Sequence, residues 1–544
     1  MIKRIKALKP HQILFIVSVI LQVTLMVINT IRGNIHVDEA MTILNARSLA
    51  DNGTDILGEK LPVYFDTWLY GGQSPFATYL MAVFIKVFGY SLFVSRIPIL
   101  IADIIGIWVF YLFIKELIPG NQKMVDVIYA FACFSPVIIF NSSYTLDCNF
   151  LPLMVLVGMY FLARAINTDK SRYYIFSMIF FGLGFYCYIL SSIIIPTLLV
   201  GIYLMLIIKK KISLKNIAVS VITIFIIAIP FILSGLVQLG VIDNLSFLGF
   251  SISKMPYYGR KINTSVSKVI ENIASGFTTL IFPDYFIDGN SSFLYTNFIG
   301  GFLLVIGLIV TLSRSKAKKE QFVNSVIFII PTVITATIVC ALCYFPTALY
   351  RFNVFNYIFI MLVGIGAYSL FSKITKINIT KMLCIFFTAS ICITAFNWSY
   401  NYSNEKTANN LMYINSYDDA LDYVDKFNCD SVGIGLSNKE SCLYPGQMNE
   451  RVSISLRYHY YGDDSFLSLK NELLSYGALA KNYNVKGNKP VSRDGRFYFK
   501  SIHKNQIIDD SCIILSQEQL DLIKYDGNIY NKEDFGVYVV LYKK

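Results

Sequence analysis

Apolar runs recur along this chain, each closed by a short polar or basic segment. They cover Ile13–Ile28, Ile97–Ile114, Val125–Phe140, Leu151–Ala163, Ile175–Leu190, Ile193–Ile208, Ile217–Leu233, Leu294–Leu312, Ser325–Phe345, Val354–Phe371 and Met382–Phe396. A helix of about 20 apolar residues crosses a hydrocarbon core about 30 Å thick. The pattern predicts a polytopic α-helical membrane protein with about eleven transmembrane helices. The first run follows a basic start, MIKRIKALK, and no small-residue cleavage site precedes the segment behind it. It reads as a retained helix, not a removed signal.

Beyond Ser399 the pattern changes to dense charge and short apolar stretches. Tyr417–Phe427 has helical spacing, Ser431–Leu436 reads as a strand, Cys512–Leu515 as a strand leading into a helical Gln517–Ile523, and Val537–Tyr542 as a last strand. This predicts a small α/β domain over 399–544 behind a membrane domain over 1–398.

Composition agrees. Of 544 residues 55% are hydrophobic and 15% charged, where a soluble protein carries about a quarter charged. Lys and Arg gather in alternate short loops: Lys3–Lys9, Lys115–Lys123, Arg164–Arg172, Lys209–Lys215, Arg314–Lys319 and Lys373–Lys381. By the positive-inside rule these face the cytoplasm, as does the N-terminus. Residues 32–96, 234–293 and the C-terminal domain then lie outside the cell membrane. The net charge of +12 is spread over these loops, so it anchors topology and argues against a nucleic-acid partner. Of ten cysteines most sit in apolar runs; Cys429, Cys442 and Cys512 fall in the outer domain, where a Cys429–Cys442 disulfide is an open option. His459 and His503 lack partners at motif spacing and read as surface residues.

The candidate chemistry lies just behind the first run, where His36, Asp38 and Glu39 occur within four residues. One reading is local: Asp38 caps a helix over Glu39–Ala50, and Glu39 suits the helix dipole. Three features favour a functional reading. The helix is weakly amphipathic, with Ile43, Ala46 and Ala50 opposite Asn45, Ser48 and Asn52, so it can lie in the membrane interface. The loop is long and holds Asp55, Glu59, Lys60, Asp66 and the turn Gly71-Gly72-Gln73-Ser74-Pro75 before Arg96 opens the next run. The second outer turn, NSSYTLDCN, places Asp147 where the chain re-enters the membrane, a costly position for an acid unless it has a task. Its local alternative is again a helix cap. Asp103, within the second run, has no motif and stays outside the predicted site.

These placements resemble the GT-C superfamily of polytopic glycosyltransferases, in particular its protein O-mannosyltransferase and aminoarabinose-transferase-like group. HVDEA at His36–Ala40 is similar to the acidic pair behind the first helix, Leu146–Asp147 to the second-loop acid, and Asp51–Phe65 and Gly71–Pro75 to the turns between them. The resemblance covers roughly residues 1–400. The Arg that often precedes the second-loop acid is missing from Phe140–Thr145.

The resemblance implies sugar transfer from a polyprenyl-phosphate donor to a glycan, lipid or protein acceptor at the outer face. No nucleotide is needed there, in keeping with the lack of a P-loop or GxGxxG fingerprint. It implies Asp38 as general base, Glu39 as an orienting or cation-binding group, and Asp147 as a group that positions acceptor or metal. A divalent ion, if used, would draw on Asp38, Asp147 and His36. The departing lipid phosphate needs cations, and Arg351, Arg260 and Lys261 stand in outer segments. The Ile-, Lys- and Asn-rich usage points to a bacterial source, with undecaprenyl phosphate as carrier. A multispan transporter or lipid flippase is the rival class. It predicts paired halves with broken helices at the midplane, whereas the acids here gather at one side.

Overall fold

The computed structural model describes residues 10–32, 34–67, 71–133, 135–142, 144–255, 265–281, 297–316, 320–343, 349–372, 413–427, 429–438, 445–463 and 487–544. Met382–Phe396, Arg260, Lys261 and Cys442 lie outside them.

The chain opens with α1 (Pro10–Arg32) and α2 (Val37–Asn52), then a short antiparallel hairpin, β1 (Phe65–Thr67) with β2 (Gly71–Gln73). Helices α3 (Pro75–Phe88), α4 (Leu92–Leu117), α5 (Gln122–Cys133) and α6 (Pro136–Asn141) follow, and a 3-10 turn, Asp147–Phe150, leads into α7 (Leu151–Thr168). Next come α8 (Ser171–Gly184), α9 (Ser191–Ile208), α10 (Leu214–Gln238) and a second hairpin, β3 (Leu245–Phe247) with β4 (Phe250–Ile252). The bundle continues with α11 (Val266–Ile281), α12 (Asn297–Lys316), α13 (Glu320–Cys343), a 3-10 segment at Leu349–Phe355, and α14 (Asn356–Phe371).

Six helices are long and apolar enough to cross a membrane: Leu92–Leu117, Asp147–Thr168, Ser191–Ile208, Leu214–Gln238, Asn324–Cys343 and Phe352–Leu370; Ile16–Ile31, Pro75–Phe88 and Gly300–Ser315 are shorter apolar helices among the described residues. The run Val125–Phe140 is two helices, not one. Pro136 has no N–H to donate, so it ends continuity and starts α6. The run Ile175–Leu190 is helical only to Gly184 and then turns. Helix α3 was absent from the sequence expectation because its apolar run is short. Gly307 and Gly366 let α12 and α14 cross closely. A Cβ at Gly307 would fall on the carbonyl oxygen of Leu362, and one at Gly366 on that of Leu303. Phe110, Phe113, Phe328 and Ile365 fill the bundle core without exposure.

The C-terminal unit is an α/β structure around a six-stranded sheet. Its elements are α15 (Asn415–Lys426), β5 (Val432–Leu436), α16 (Pro445–His459), β6 (Lys489–Pro490), β7 (Phe497–Ser501), β8 (Cys512–Ser516), the short α17 (Gln517–Leu520), β9 (Tyr530–Phe535) and β10 (Tyr538–Lys543). The order is β6-β7-β5-β8-β10-β9. Central β5 runs parallel to β7 and β8, and the outer pairs are antiparallel. Strands β5 and β8 are buried throughout, which is why they read as continuous apolar runs. Cys429 and Cys512 are both free thiols. His459 is not a surface residue: its side chain is 13% exposed and its Nδ1 lies 2.6 Å from Asp418 Oδ1.

This unit rests on the segment behind α1. Ile414 N–H donates to the Ile35 carbonyl (3.1 Å), and Ile454 packs with Val37, Met41 and Leu44. Helix α2 is therefore covered on several sides. Asn45 and Ser48, expected on a solvated face, are buried, and Asn45 Oδ1 accepts from Ile56 N–H (3.3 Å). The polar side of this helix is thus enclosed by protein along Asn45 and Ser48.

Candidate active site

Helix α2 starts two residues earlier than its acids suggest. His36 is the N-cap: its Nδ1 accepts from Asp38 N–H (3.1 Å). Asp38 then occupies the first turn, where a negative charge suits the helix dipole. Its carboxylate is half-buried and accepts no hydrogen bond from the described residues.

Glu39, one residue on, has a different fate. It is fully buried and forms a two-pronged pair with fully buried Arg96: Nε to Oε1 at 2.8 Å and an Nη to Oε2 at 2.6 Å. Oε1 also accepts from Thr145 N–H (2.9 Å). Arg96 donates further to the carbonyls of Thr30 (3.3 Å) and Asn34 (3.0 Å). One carboxylate thereby ties α2, the start of α4 and the turn before Asp147. Its negative charge is already balanced, so the geometry leaves no lone charge at Glu39 for a cation.

The Thr145 bond sets where Asp147 lies. Asp147 is half-buried; Oδ1 accepts from Cys148 N–H (2.8 Å) and Oδ2 from Ser74 N–H (3.3 Å). Gln73 reaches the other acid's helix, donating to Thr42 Oγ1 (2.6 Å) and the Asp38 carbonyl (3.4 Å). Adjacent residues 73 and 74 thus bridge Asp38 and Asp147. An apolar cavity of about 440 Å³ opens beside this bridge, lined by Pro75, Phe76, Tyr79, Leu183, Tyr186 and Pro230 among others. In the same hairpin Asp66 is half-buried, and burial, aided by the Asp55 charge, pushes its carboxyl up to about 7.

The cationic candidates divide. Arg351 belongs to the Leu349–Phe355 segment. That segment meets the Asp147 turn, because Asn353 Nδ2 donates to Asn149 Oδ1 (3.0 Å) and the Cys148 carbonyl (3.4 Å). Arg260 and Lys261 lie outside the described residues.

The metal expectation meets a poor ligand set. Among the described residues no group of three His, Cys, Asp and Glu is arranged for a metal ion. His36 uses Nδ1 as the cap, and its buried ring is flanked edge-on by Tyr144 and Tyr413.

Arg96, Gln73 and Ser74 were not assigned roles from sequence. Arg96 did carry a signal, a single charge at the mouth of an apolar run; the bridge at Gln73–Ser74 carried only its turn composition.

The family model for dolichyl-phosphate-mannose-protein mannosyltransferase matches residues 72–233. Among solved structures the chain is similar to ArnT from Cupriavidus metallidurans bound to undecaprenyl phosphate, with 12% identity, a TM-score of 0.53 and 97% of each chain covered. It is also similar to the Archaeoglobus fulgidus oligosaccharyltransferase tethered with an acceptor peptide containing the NVT sequon. There the identity is 12% and the TM-score 0.51, covering 82% of this chain and 63% of that one, so the chain spans less than two thirds of that protein. A structure of the same oligosaccharyltransferase in complex with Zn and sulfate matches at 12% identity and a TM-score of 0.51, covering 81% of this chain and 61% of that one. No curated protein sequence matches the chain. The chain thus shares the fold of these membrane enzymes, and its described residues include six helices long and apolar enough to cross a membrane.

Proposed function

We propose that this protein transfers a hexosyl or pentosyl group from a polyprenyl-phosphate donor to an acceptor at the outer face of the cytoplasmic membrane. The observation that supports the reading is the Gln73–Ser74 bridge, which ties the Asp38 backbone carbonyl to the Asp147 carboxylate beside an apolar cavity and leaves the Asp38 carboxylate open. Asp38 takes the proton of the acceptor hydroxyl. The acceptor oxygen bonds to the sugar's anomeric carbon as the bond to the phosphate oxygen breaks, and the electron pair leaves with the polyprenyl phosphate. Asp147 orients the acceptor. Glu39, neutralised by Arg96, maintains the geometry of both acids. The cavity accepts the first isoprene units by apolar burial. Arg351, with Arg260 and Lys261 of the 234–293 segment, answers the charge on the departing phosphate. The C-terminal unit, on the same side, stands beside the acceptor path.

The test is donor consumption by the full-length protein in membranes with a panel of polyprenyl-phosphate sugars, with Asp38→Asn and Asp147→Asn beside the parent. One donor consumed by the parent and spared by Asp38→Asn is the expected result. A variant as active as the parent removes Asp38 as base. A folded parent that consumes nothing across a broad panel moves the chain to the transporter class.

A further inference from the structure

Four buried polar side chains form a network the transfer chemistry does not touch. Asp103 sits within α4 at 4% exposure, with Asn141 at the end of α6 (6%), Asn149 in the Asp147 turn (3%) and Asn353 in the Leu349–Phe355 segment (2%). Asn141 Nδ2 donates to Asp103 Oδ1 (2.8 Å) and the Asn149 carbonyl (3.0 Å). Asn149 Nδ2 returns bonds to the carbonyls of Asn141 and Tyr144, both 3.0 Å. Asn353 Nδ2 closes the set, donating to Asn141 Oδ1 (2.9 Å) and Asn149 Oδ1 (3.0 Å).

Resting on the function proposed above, we infer that Asn141, Asn149 and Asn353, anchored on Asp103, are positioning residues that hold the Asp147 turn and the Arg351-bearing segment in one register for transfer. The two segments are far apart in sequence and touch through these amides. Apolar side chains would fill the same space without the desolvation cost of buried amides and a carboxylate. Asp103 Oδ2 and Asn353 Oδ1 also find no partner among the described residues, a cost that stability alone does not explain. A fan of directional bonds fixes relative position in a way that apolar packing does not. The network joins the half of the site that meets the acceptor to the half assigned to the lipid phosphate.

Asn353→Ala removes the closing bonds. Asn353→Asp keeps the shape but turns the donor into an acceptor facing three acceptors, Asn141 Oδ1, Asn149 Oδ1 and the Cys148 carbonyl. Each is compared with the parent for kcat, donor KM and melting temperature in detergent, with the full chain and a polyprenyl-phosphate sugar the parent consumes. The control is Asn324→Ala, a buried amide elsewhere in the bundle that accepts from Lys211 (2.6 Å) and donates to Asn167 (3.2 Å). The expected result is a donor KM raised at least about tenfold in both Asn353 variants, while the control melts lower but keeps its KM. Parental kinetics in a folded Asn353 variant overturn the inference with the function intact. So does a parental KM with only a lowered melting point, or failure of both Asn353 variants to fold, since the network is then a stability element. A parent that consumes no donor removes the function and the inference with it.

Discussion

Two clusters of charge in this molecule look alike on paper and behave differently. At one mouth of the bundle, Glu39 and Arg96 pair with both side chains at 0% exposure. In the C-terminal unit, His459 faces Asp418, Asp422 and Asp425, whose side chains are 37%, 74% and 36% exposed. Asp425 also accepts from Arg496 (2.8 Å) and Tyr460 (2.9 Å). The buried pair has one arrangement and no solvent to replace a lost partner. The exposed cluster has several partners and water at hand. The first determines where the chain goes; the second adjusts how firmly two helices, α15 and α16, stay together.

The largest effect that can break this comparison is a single change in the buried pair. Glu39→Gln or Arg96→Met leaves one uncompensated buried charge or its orphaned partner, and the expected loss is about 3–5 kcal/mol. Thermal denaturation in detergent reads it. The double change should recover much of that stability without restoring transfer. Parental melting in either single variant would place the pair with the surface charges.

Asp38→Asn is the complementary case. Its carboxylate supports no described contact, so melting should stay within experimental error of the parent. Transfer should fall by about 10²–10⁴, the usual contribution of a general base. A variant that both unfolds and loses activity would give Asp38 the structural task assigned here to Glu39.

The contact between the two regions is next in size. Arg47 of α2 lies between the rings of Tyr90 (3.8 Å) and Tyr461 (3.7 Å), and Tyr461 donates to Asp51 (2.9 Å). Arg47→Ala should cost about 1–2 kcal/mol. Faster protease cleavage between the bundle and the C-terminal unit would report it. Equal cleavage rates would show that the apolar contact around Ile454 suffices.

The smallest effect is pH-dependent. Burial opposes charge on His459, but the Asp418 hydrogen bond and the charges of Asp418, Asp422 and Asp425 outweigh it and hold the imidazole above its ordinary 6.5. A raised pKa means the folded unit binds the proton more tightly than the unfolded chain. This contribution is full below pH 6.5 and is lost as pH rises through the folded value. The melting temperature of the parent should decline over that window, and His459→Gln should flatten the decline. Exposed pairs are each worth at most about 1 kcal/mol, so salt should shrink the effect.

How much of this was legible in the sequence differs between elements. Long apolar runs announced α4, α9, α10, α13 and α14, because crossing a hydrocarbon core leaves few other solutions for backbone polar groups. Fully buried strands β5 and β8 announced themselves for the same reason of composition. Helix α3 was missed because 14 residues fall short of a span, and β9 because its exposed middle is as polar as a loop. The placement of Asp38, Glu39 and Asp147 at one mouth followed from topology. Their division of labour did not. Asp38 and Glu39 are neighbours with the same chemistry, and only the arrival of Arg96 and Thr145 neutralises one while the other keeps its carboxylate open. His36 likewise looked like a ligand, because its cap bond depends on where α2 begins.

Local patterning and the hydrophobic effect act on spacing, so the chain alone determined its long apolar helices and the change to an α/β unit behind them. Hydrogen bonds and ion pairs act within about 3 Å, between residues far apart in sequence. The Arg96–Glu39 pair, the Gln73–Ser74 bridge and the Asn141–Asn149–Asn353 network were therefore decided only when the tertiary structure brought their partners together.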